Sequence, residues 1–140
     1  MSVKPLTLSS LFSTVSTSDT DVIVEAAATI AASTQAGVVT NLDSTSSPAN
    51  FLIAYHDRYS GNFKLDKVVA GVYTNLISGA ATYSAGASVR ILTYHSNSDT
   101  LKVRVFYNNA QVGTVQTITD ASIIGNTKHG LFSTYSGNTF

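Results

Sequence analysis

The feature that most constrains the fold of this chain is a period-2 alternation of apolar and polar residues within 89–115. In a β-strand, successive side chains point to opposite faces, so every second residue shares a face. Four residues would share one buried face: Leu101, Val103, Val105 and Tyr107. Four others would share the polar face: Lys102, Arg104, Phe106 and Asn108. Turn-forming Asn and Asp flank this strand at 97–99 and 108–109, so residues 89–115 predict a three-stranded antiparallel meander.

Similar signals occupy the rest of the chain at close spacing. We expect strands over 21–32, 36–42, 51–56, 63–70, 72–77 and 128–135, loops or turns over 43–49, 57–62 and 78–86, and one helical turn within 119–125. Residues 25–28 are good helix formers, but the β-branched residues around them favour a strand over 21–32. About ten short strands separated by turns are typical of a β-sandwich or barrel. We therefore expect a sandwich domain over 21–140, preceded by an N-terminal arm or edge strand over 1–20 in which 6–12 is extended.

The charge balance argues against two classes of partner. Eight Lys and Arg offset eight Asp and Glu, and charged residues make up only 11% of the chain. A protein that binds duplex nucleic acid needs a basic surface to displace counterions, so we expect no nucleic-acid partner. No segment approaches the roughly 18 apolar residues of a membrane span. The zero net charge favours association with other neutral protein surfaces.

Two further compositional features bear on location and on covalent stabilisation. The chain has no Cys, so no disulfide holds the fold. Its first residues carry one Lys and no continuous apolar run, so we expect no signal peptide in the given chain.

Catalytic and metal-binding patterns are weak in this sequence. A glycosidase needs two carboxylates facing the scissile bond, but Glu25 is the single Glu and the seven Asp are scattered. His56, His95 and His129 show no ligand spacing, and no G-x-S-x-G motif is present. We therefore predict a protein that is not an enzyme, with no catalytic residues and no required cofactor.

Calcium is the one metal for which the loops offer candidate ligands. Asp43, Asp57 and Asn62 lie in predicted loops and carry the oxygen atoms that calcium prefers. The same residues commonly cap turns through hydrogen bonds to their own backbone, and we favour that role. Calcium at Asp43 or Asp57 stays as the alternative.

Sugar binding requires exposed aromatic rings beside polar groups. The chain has seven Tyr and no Trp, and in a sandwich about half of such rings face the core by alternation. Tyr59 and Tyr83 lie in predicted loops and are the better candidates for exposed contacts. With Asp57 and Asn62 beside Tyr59, these four residues form the predicted ligand-binding set.

From residue 21 onward, the order of these signals resembles the laminin-G-like and concanavalin-A-like jelly-roll superfamily. The resemblance rests on four segments: D-V-I-V-E-A, N-F-L-I-A-Y-H-D with F-K-L-D-K-V-V-A-G-V-Y-T-N-L, the meander V-R-I-L-T-Y-H-S-N-S-D-T-L-K-V-R-V-F-Y-N-N-A-Q-V, and K-H-G-L-F-S-T-Y. It implies an all-β, antiparallel jelly-roll β-sandwich. Because the matching residues are strand and turn signals, the resemblance implies a fold more than a function.

The resemblance also predicts one further strand after S-G-N-T-F, where the given chain stops. An open sheet edge exposes unpaired N–H and C=O groups and invites pairing. One hypothesis is that residues 3–12 fill this position, either folded back or exchanged with a neighbouring subunit. The other is that the given chain is truncated.

The sequence is compatible with three functions. The first is a structural protein on the surface of a virus particle, such as a bacteriophage capsid decoration or tail-associated protein, whose partners are other subunits. It rests on the absence of a signal peptide and of Cys, the low charge and the unpaired edge. The second is a carbohydrate-binding or adhesion module that acts outside the cell and binds surface glycans. The third is a fragment of a glycoside-active enzyme, which the carboxylate count disfavours.

Overall fold

A computed structural model describes residues 12–140, which form two antiparallel sheets and one short helix. The strands, in chain order, are β1 (Phe12–Ser16), β2 (Ile23–Ala28), β3 (Gln35–Leu42), β4 (Phe51–Asp57), β5 (Asn62–Val69), β6 (Val72–Ala80), β7 (Ala87–Asn97), β8 (Thr100–Tyr107), β9 (Ala110–Ile118) and β10 (Lys128–Ser133). The helix α1 spans Ala121–Ile124 and confirms the predicted helical turn. The predicted antiparallel β-sandwich is likewise confirmed.

The six-stranded sheet has the order β1-β10-β3-β4-β5-β6, and the four-stranded sheet has the order β2-β7-β8-β9. Every neighbouring pair is antiparallel. The meander predicted over 89–115 is β7-β8-β9, which confirms the strongest sequence signal. Residues 21–32 supply β2 rather than a helix, because β2 forms the edge pair with β7.

Several predicted boundaries are wrong by a few residues: the strand predicted over 21–32 is shorter, at Ile23–Ala28, and the one predicted over 128–135 ends at Ser133. Strand β6 continues to Ala80, so the first part of the loop predicted over 78–86 is paired, as in the register Asn62↔Ala80. Asp57 and Asn62 are paired across β4 and β5, so the connecting turn is residues 58–61. In these last two places the backbone ladder extends through residues whose composition favours turns.

The sheet edge beside β10 is occupied by the same chain. Strand β1 pairs with β10 from Phe12↔Phe132 to Ser16↔Lys128. The hypothesis placed residues 3–12 at this edge, and of these only Phe12 belongs to the strand. Residues 3–11, with nearly all of the extended segment predicted over 6–12, lie outside the described residues. At the other end of the chain, Thr139 bridges to Thr29.

The main core lies between the two sheets. It includes the alternating residues of β8, with Leu101, Val103 and Val105 fully buried. Val38, Leu52 and Phe63 pack against them from the six-stranded sheet. The apolar half of the predicted alternation therefore does face the core.

A second cluster lies on the face of the six-stranded sheet that is turned away from the four-stranded sheet. Its members are Val39, Leu42, Phe51, Ile53, Tyr55, Val68 and Phe132. Phe51, Ile53 and Tyr55 alternate along β4 and share this face, and all seven residues of β4 are buried. The alternation in β4 thus separates two buried faces, which is why the segment F-L-I-A-Y is apolar throughout. Within 12–140, no helix has the length and apolar character needed to span a membrane.

Candidate functional site

Loops collect at one end of the sandwich, and the predicted ligand-binding residues lie there. The registers Ala28↔Ala87, Gln35↔Asp57 and Asn62↔Ala80 place four connecting or terminal segments at this loop end: 29–34, 58–61, 81–86 and 134–140. Asp57, Tyr59, Asn62 and Tyr83 all border it. The structure therefore brings the four predicted residues to the same end of the molecule.

The Asp57 carboxylate is already engaged by its own turn. Its side chain is 4% exposed, and it accepts hydrogen bonds from Lys64 Nζ at 2.8 Å and the Ser60 hydroxyl at 2.8 Å. The backbone N–H of Tyr59 donates a third hydrogen bond at 3.1 Å. Burial opposes ionisation, but these donors outweigh it and lower the pKa of Asp57. The carboxylate therefore holds the 58–61 turn and has little capacity left for a ligand.

Tyr83 also serves the fold. Its hydroxyl accepts a hydrogen bond from the backbone N–H of Ile30 at 2.9 Å. The guanidinium carbon of Arg58 lies 3.9 Å from its ring centroid, and the ring of His56 packs against it at 5.7 Å. One ring face is thus covered by Arg58, contrary to the expectation of an exposed platform. Of the four predicted residues, Tyr59 alone is largely exposed, at 77%, while Asn62 is half-buried.

The two calcium candidates lie at opposite ends of β4. Asp43 accepts hydrogen bonds from the Ala49 N–H at 3.0 Å and the Asn50 amide at 2.6 Å. The seven residues of β4 separate its end of the sandwich from that of Asp57, which corresponds to roughly 20 Å. Among residues 12–140, no group of three or more His, Asp or Glu side chains is placed to hold a metal ion. Asp43 and Asp57 therefore do not form one site.

The outer face of the four-stranded sheet carries a depression with a different composition. We call it the outer-face depression; its principal lining residues are Asp21, Ile23, Leu92, Tyr94, Arg104 and Phe106. It is shallow and open to solvent, with a volume of about 520 Å³. These side chains alternate with the buried residues of β2, β7 and β8, so they point away from the core.

Strand register fixes the arrangement of this depression. Leu92 stands between Ile23 on β2 and Arg104 on β8, and these three residues form the floor. Tyr94 pairs with Lys102, and Phe106 pairs with Arg90. The two aromatic positions are therefore separated by four residues along the strand direction, or roughly 13 Å, with the floor between them.

Some of the charged side chains around the floor are paired with another charged or basic side chain, and others are not. Arg90 forms a bidentate ion pair with Glu25, at 2.9 Å and 3.0 Å, and its guanidinium lies 5.4 Å from the Phe106 ring centroid. Asp21 accepts hydrogen bonds from the backbone N–H and ring Nδ1 of His95. Partial burial opposes the ionisation of Asp21, but the His95 hydrogen bonds dominate and lower its pKa. Glu25 and Asp21 are thus both occupied by basic partners.

Among the described residues, Arg104 and Lys102 are the two charged side chains of this face without such a pairing. The Arg104 side chain is exposed and makes no hydrogen bond or ion pair with another residue among 12–140. Lys102 Nζ donates to the Thr117 hydroxyl at 2.7 Å and has no carboxylate partner there. Hydrolysis of a glycoside would require two carboxylates within about 9.5 Å. Asp21 precedes β2 and Glu25 lies on it four residues later, so their Cα atoms are roughly 13 Å apart, farther than this spacing.

Some residues of the outer-face depression could be recognised from the sequence. Phe106 is an aromatic residue on the face predicted to be polar, and Arg104 precedes it on that face. Leu92 and Tyr94 continue an alternation in β7. These residues could not be joined with Ile23 from the sequence alone, because the β2-β7 pairing is long-range and its register is not encoded locally.

A solved structure shares this architecture. It is the carbohydrate-binding module CBM66 from Bacillus subtilis, with a TM-score of 0.56 and 13% sequence identity over 91% of this chain and 70% of that chain. At this identity the similarity establishes the fold alone. Comparison with protein-family models gave no match, and comparison with curated proteins gave none either.

Proposed function

We propose that this protein is a non-catalytic carbohydrate-binding module and that the outer-face depression is its sugar site. The observation that carries the proposal is the placement of Tyr94 and Phe106 on either side of a floor made of two aliphatic side chains and Arg104. A sugar ring presents apolar C–H groups on its faces and hydroxyls at its edge. A site of aromatic and aliphatic side chains with a few fixed polar groups matches that chemistry.

The strands that carry the site favour binding without a large rearrangement. Tyr94 and Phe106 lie on β7 and β8, whose backbones are held by the longest run of pairing in the four-stranded sheet. Rings held on a paired sheet lose little conformational freedom when a ligand binds, which improves affinity. The loop end has fewer groups to offer, because Asp57 and Tyr83 are used by internal hydrogen bonds.

A second depression, near the loop end, is a weaker candidate. It has a volume of about 500 Å³ and is lined mainly by small residues, among them Gly79, Ala80, Ala81 and Thr82. Its one aromatic residue, Tyr107, is 6% exposed and hydrogen-bonds through its hydroxyl to Ser84. It therefore offers no ring on which a sugar can stack.

The similarity in fold to a carbohydrate-binding module supports the proposal. It also agrees with a place in the laminin-G-like and concanavalin-A-like jelly-roll superfamily, which we include in the proposal. A module that binds glycans would act outside the cell. The structural role on a virus particle stays a prediction that no comparison favours, and the sheet edge that motivated it is occupied by β1.

Binding of a glycan panel by the purified protein, followed by calorimetric titration of the strongest ligand, tests this proposal. We expect Tyr94→Ala and Phe106→Ala each to weaken binding at least tenfold, because each removes a stacking surface. Tyr59→Ala removes the exposed ring of the loop end and tests the site predicted from the sequence. Thermal unfolding of every variant checks that the fold is retained.

Three outcomes separate the alternatives. Loss of binding in Tyr94→Ala and Phe106→Ala, with binding retained in Tyr59→Ala, supports the outer-face depression. Loss in Tyr59→Ala alone moves the sugar site to the loop end and refutes the location proposed here. Absence of binding to every glycan of the panel refutes the proposed function itself.

A further inference from the structure

We propose that the sugar bound in the outer-face depression is acidic and that Arg104, assisted by Lys102, binds its carboxylate or sulfate group. This inference rests on the proposed function and adds the class of ligand. It begins from an imbalance of charge on one face of a chain whose formal net charge is zero.

The imbalance is local to the outer face of the four-stranded sheet. Arg90 is neutralised by Glu25, and the Asp21 carboxylate is bound by His95. Arg104 and Lys102 remain without a carboxylate partner among residues 12–140. Elsewhere in the described chain, Lys64 and Lys67 each have such a partner, whereas Arg58 and Lys128 do not. Two cations without a carboxylate partner therefore lie on the face that carries the depression, against one carboxylate, Asp21, whose partner is an imidazole.

The two cations are close enough to act on one anionic group. Arg104 and Lys102 are two residues apart on β8 and share its outer face, so their Cα atoms are roughly 7 Å apart. Both side chains are long and flexible. A guanidinium presents a planar fork of N–H donors that matches a carboxylate or sulfate, and a nearby ammonium adds a second charge-assisted hydrogen bond.

The position of Arg104 distinguishes it from an ordinary solvated surface arginine. It is part of the floor, beside Leu92 and between the positions of Tyr94 and Phe106. A sugar ring that rests on Leu92 would carry its edge substituents over β8, where the guanidinium lies. Arg104 would thus lie beside the sugar ring and contact the charged substituent that the ring carries.

The acidic residue of the depression does not oppose this placement. Asp21 precedes β2, two strands from β8, and neighbouring strands are about 4.8 Å apart. The backbone of Asp21 is therefore roughly 10 Å from that of Lys102 and Arg104. Its side chain is engaged by His95, and its free lone pairs suit the hydroxyl groups of a sugar.

The decisive experiment compares acidic glycans with their neutral counterparts. The probes are tetragalacturonate with its methyl ester, and a chondroitin sulfate tetrasaccharide with its desulfated, carboxyl-reduced form, titrated calorimetrically. We expect at least one acidic probe to bind tenfold or more tightly than its counterpart. Raising the salt from 0.05 M to 0.5 M should weaken that binding severalfold, because charge interactions at an exposed site are screened.

Two charge variants assign the effect to residues. Arg104→Gln should lower the affinity for the acidic probe at least tenfold and that for the neutral probe by a much smaller factor, because the arginine also lines the floor. Lys102→Gln should have a smaller effect on the acidic probe in the same direction. The matched control is Lys128→Gln, which removes the same charge from β10 on the other sheet. It should change neither affinity.

The outcomes distinguish this inference from the proposed function. If acidic and neutral probes bind equally and both depend on Tyr94 and Phe106, the site is a sugar site without charge selectivity, and the inference is wrong. Equal weakening of both probes by Arg104→Gln refutes it too, since the arginine would then act as a neutral donor. If neither acidic probe binds, the inference is wrong. If the wider glycan panel is also negative, the proposed function falls with it.

Discussion

The buried ion pair between Lys64 and Asp57 is the sharpest test of how this sandwich is stabilised. Lys64 Nζ lies 2.8 Å from Asp57 Oδ2, and the two side chains are 11% and 4% exposed. Lys64→Met preserves the length of the side chain and removes its charge. The Asp57 carboxylate then remains buried with the Ser60 hydroxyl and the Tyr59 N–H as its donors. Removing one partner of a buried pair destabilises a protein by about 3–5 kcal/mol.

The lower end of that range applies here because Asp57 keeps two of its hydrogen-bond donors. For a chain of 140 residues, an unfolding entropy of about 2.1 cal/mol/K per residue gives about 0.3 kcal/mol/K in total. A loss of about 3 kcal/mol therefore corresponds to a fall in Tm of about 10 °C. Scanning calorimetry and urea unfolding both measure this change.

Lys67→Met provides the matched control. Lys67 Nζ lies 2.9 Å from Asp120 Oδ2, but both side chains are 26% exposed. Exposed ion pairs contribute about 1 kcal/mol or less, so Tm should fall by no more than about 3 °C. If Lys67→Met lowers the Tm as much as Lys64→Met does, burial is not what makes the Lys64–Asp57 pair important, and the reasoning fails.

The pH dependence separates charge from packing. Burial opposes ionisation of Asp57, but the hydrogen bonds from Lys64 and Ser60 lower its pKa below the ordinary value. A carboxyl whose pKa is lower in the folded state stabilises the protein above its unfolded pKa, near 4, and loses that contribution as the pH falls through the folded pKa. The difference in stability between wild type and Lys64→Met should therefore shrink at about pH 2.5. An unchanged difference would assign the loss to side-chain packing.

Two further predictions concern close packing and buried imidazoles. A Cβ atom at Gly37 would overlap the backbone of Ala54 on the neighbouring strand, whereas one at Gly125 meets nothing within 4 Å. In urea unfolding, Gly37→Ala should therefore lower the free energy of unfolding by about 3 kcal/mol or more, and Gly125→Ala by less than about 0.5 kcal/mol. Similar losses in the two variants would contradict the close strand packing at Gly37. Burial lowers the pKa of His56 and of His129. The unfolded chain takes up protons near pH 6.5 that these imidazoles do not, so the free energy of unfolding should fall between pH 7 and pH 5 by up to about 1.4 kcal/mol per pH unit for each histidine. A slope that His56→Leu and His129→Leu leave unchanged would refute this assignment.

Local sequence signals predict most of the strands of this fold because each strand carries its own alternation and its own turns. The β7-β8-β9 meander is the clearest case, since its partners are adjacent in the chain and its turns at 97–99 and 108–109 set the register. The ends of β6 were not predictable in this way. Ser78 and Gly79 have turn composition, and the pairing with β5 that makes them a strand is a tertiary property.

The second apolar cluster was hidden for a related reason. Alternation tells that Phe51, Ile53 and Tyr55 share a face, but it does not tell whether the opposite face, with Leu52 and Ala54, is exposed. In this protein both faces are buried. The absence of polar residues within F-L-I-A-Y was the sequence sign of that arrangement.

The predicted ligand-binding residues show that composition does not reveal whether a polar side chain is available to bind a ligand. Asp57, Tyr59 and Asn62 are near one another in the chain, so their common location was predictable. Whether the Asp57 carboxylate is available depends on Lys64, which reaches it across the β4-β5 pair. Turn residues are selected for bonding their own backbone, so a polar loop residue is often satisfied before any ligand arrives.

On the outer face of the four-stranded sheet, unlike in the loops, polar and aromatic side chains are not used to satisfy the backbone. This is why we propose the binding site there. Backbone groups in the sheet are satisfied by the ladder, so outward-pointing side chains at Leu92, Tyr94, Arg104 and Phe106 are not needed to complete the fold. Arg90 shows the contrast on the same face, because its guanidinium is taken by Glu25. Two neighbouring arginines on one sheet thus differ in whether a protein carboxylate neutralises them. The arginine that lacks such a partner is the one that lies between the two rings.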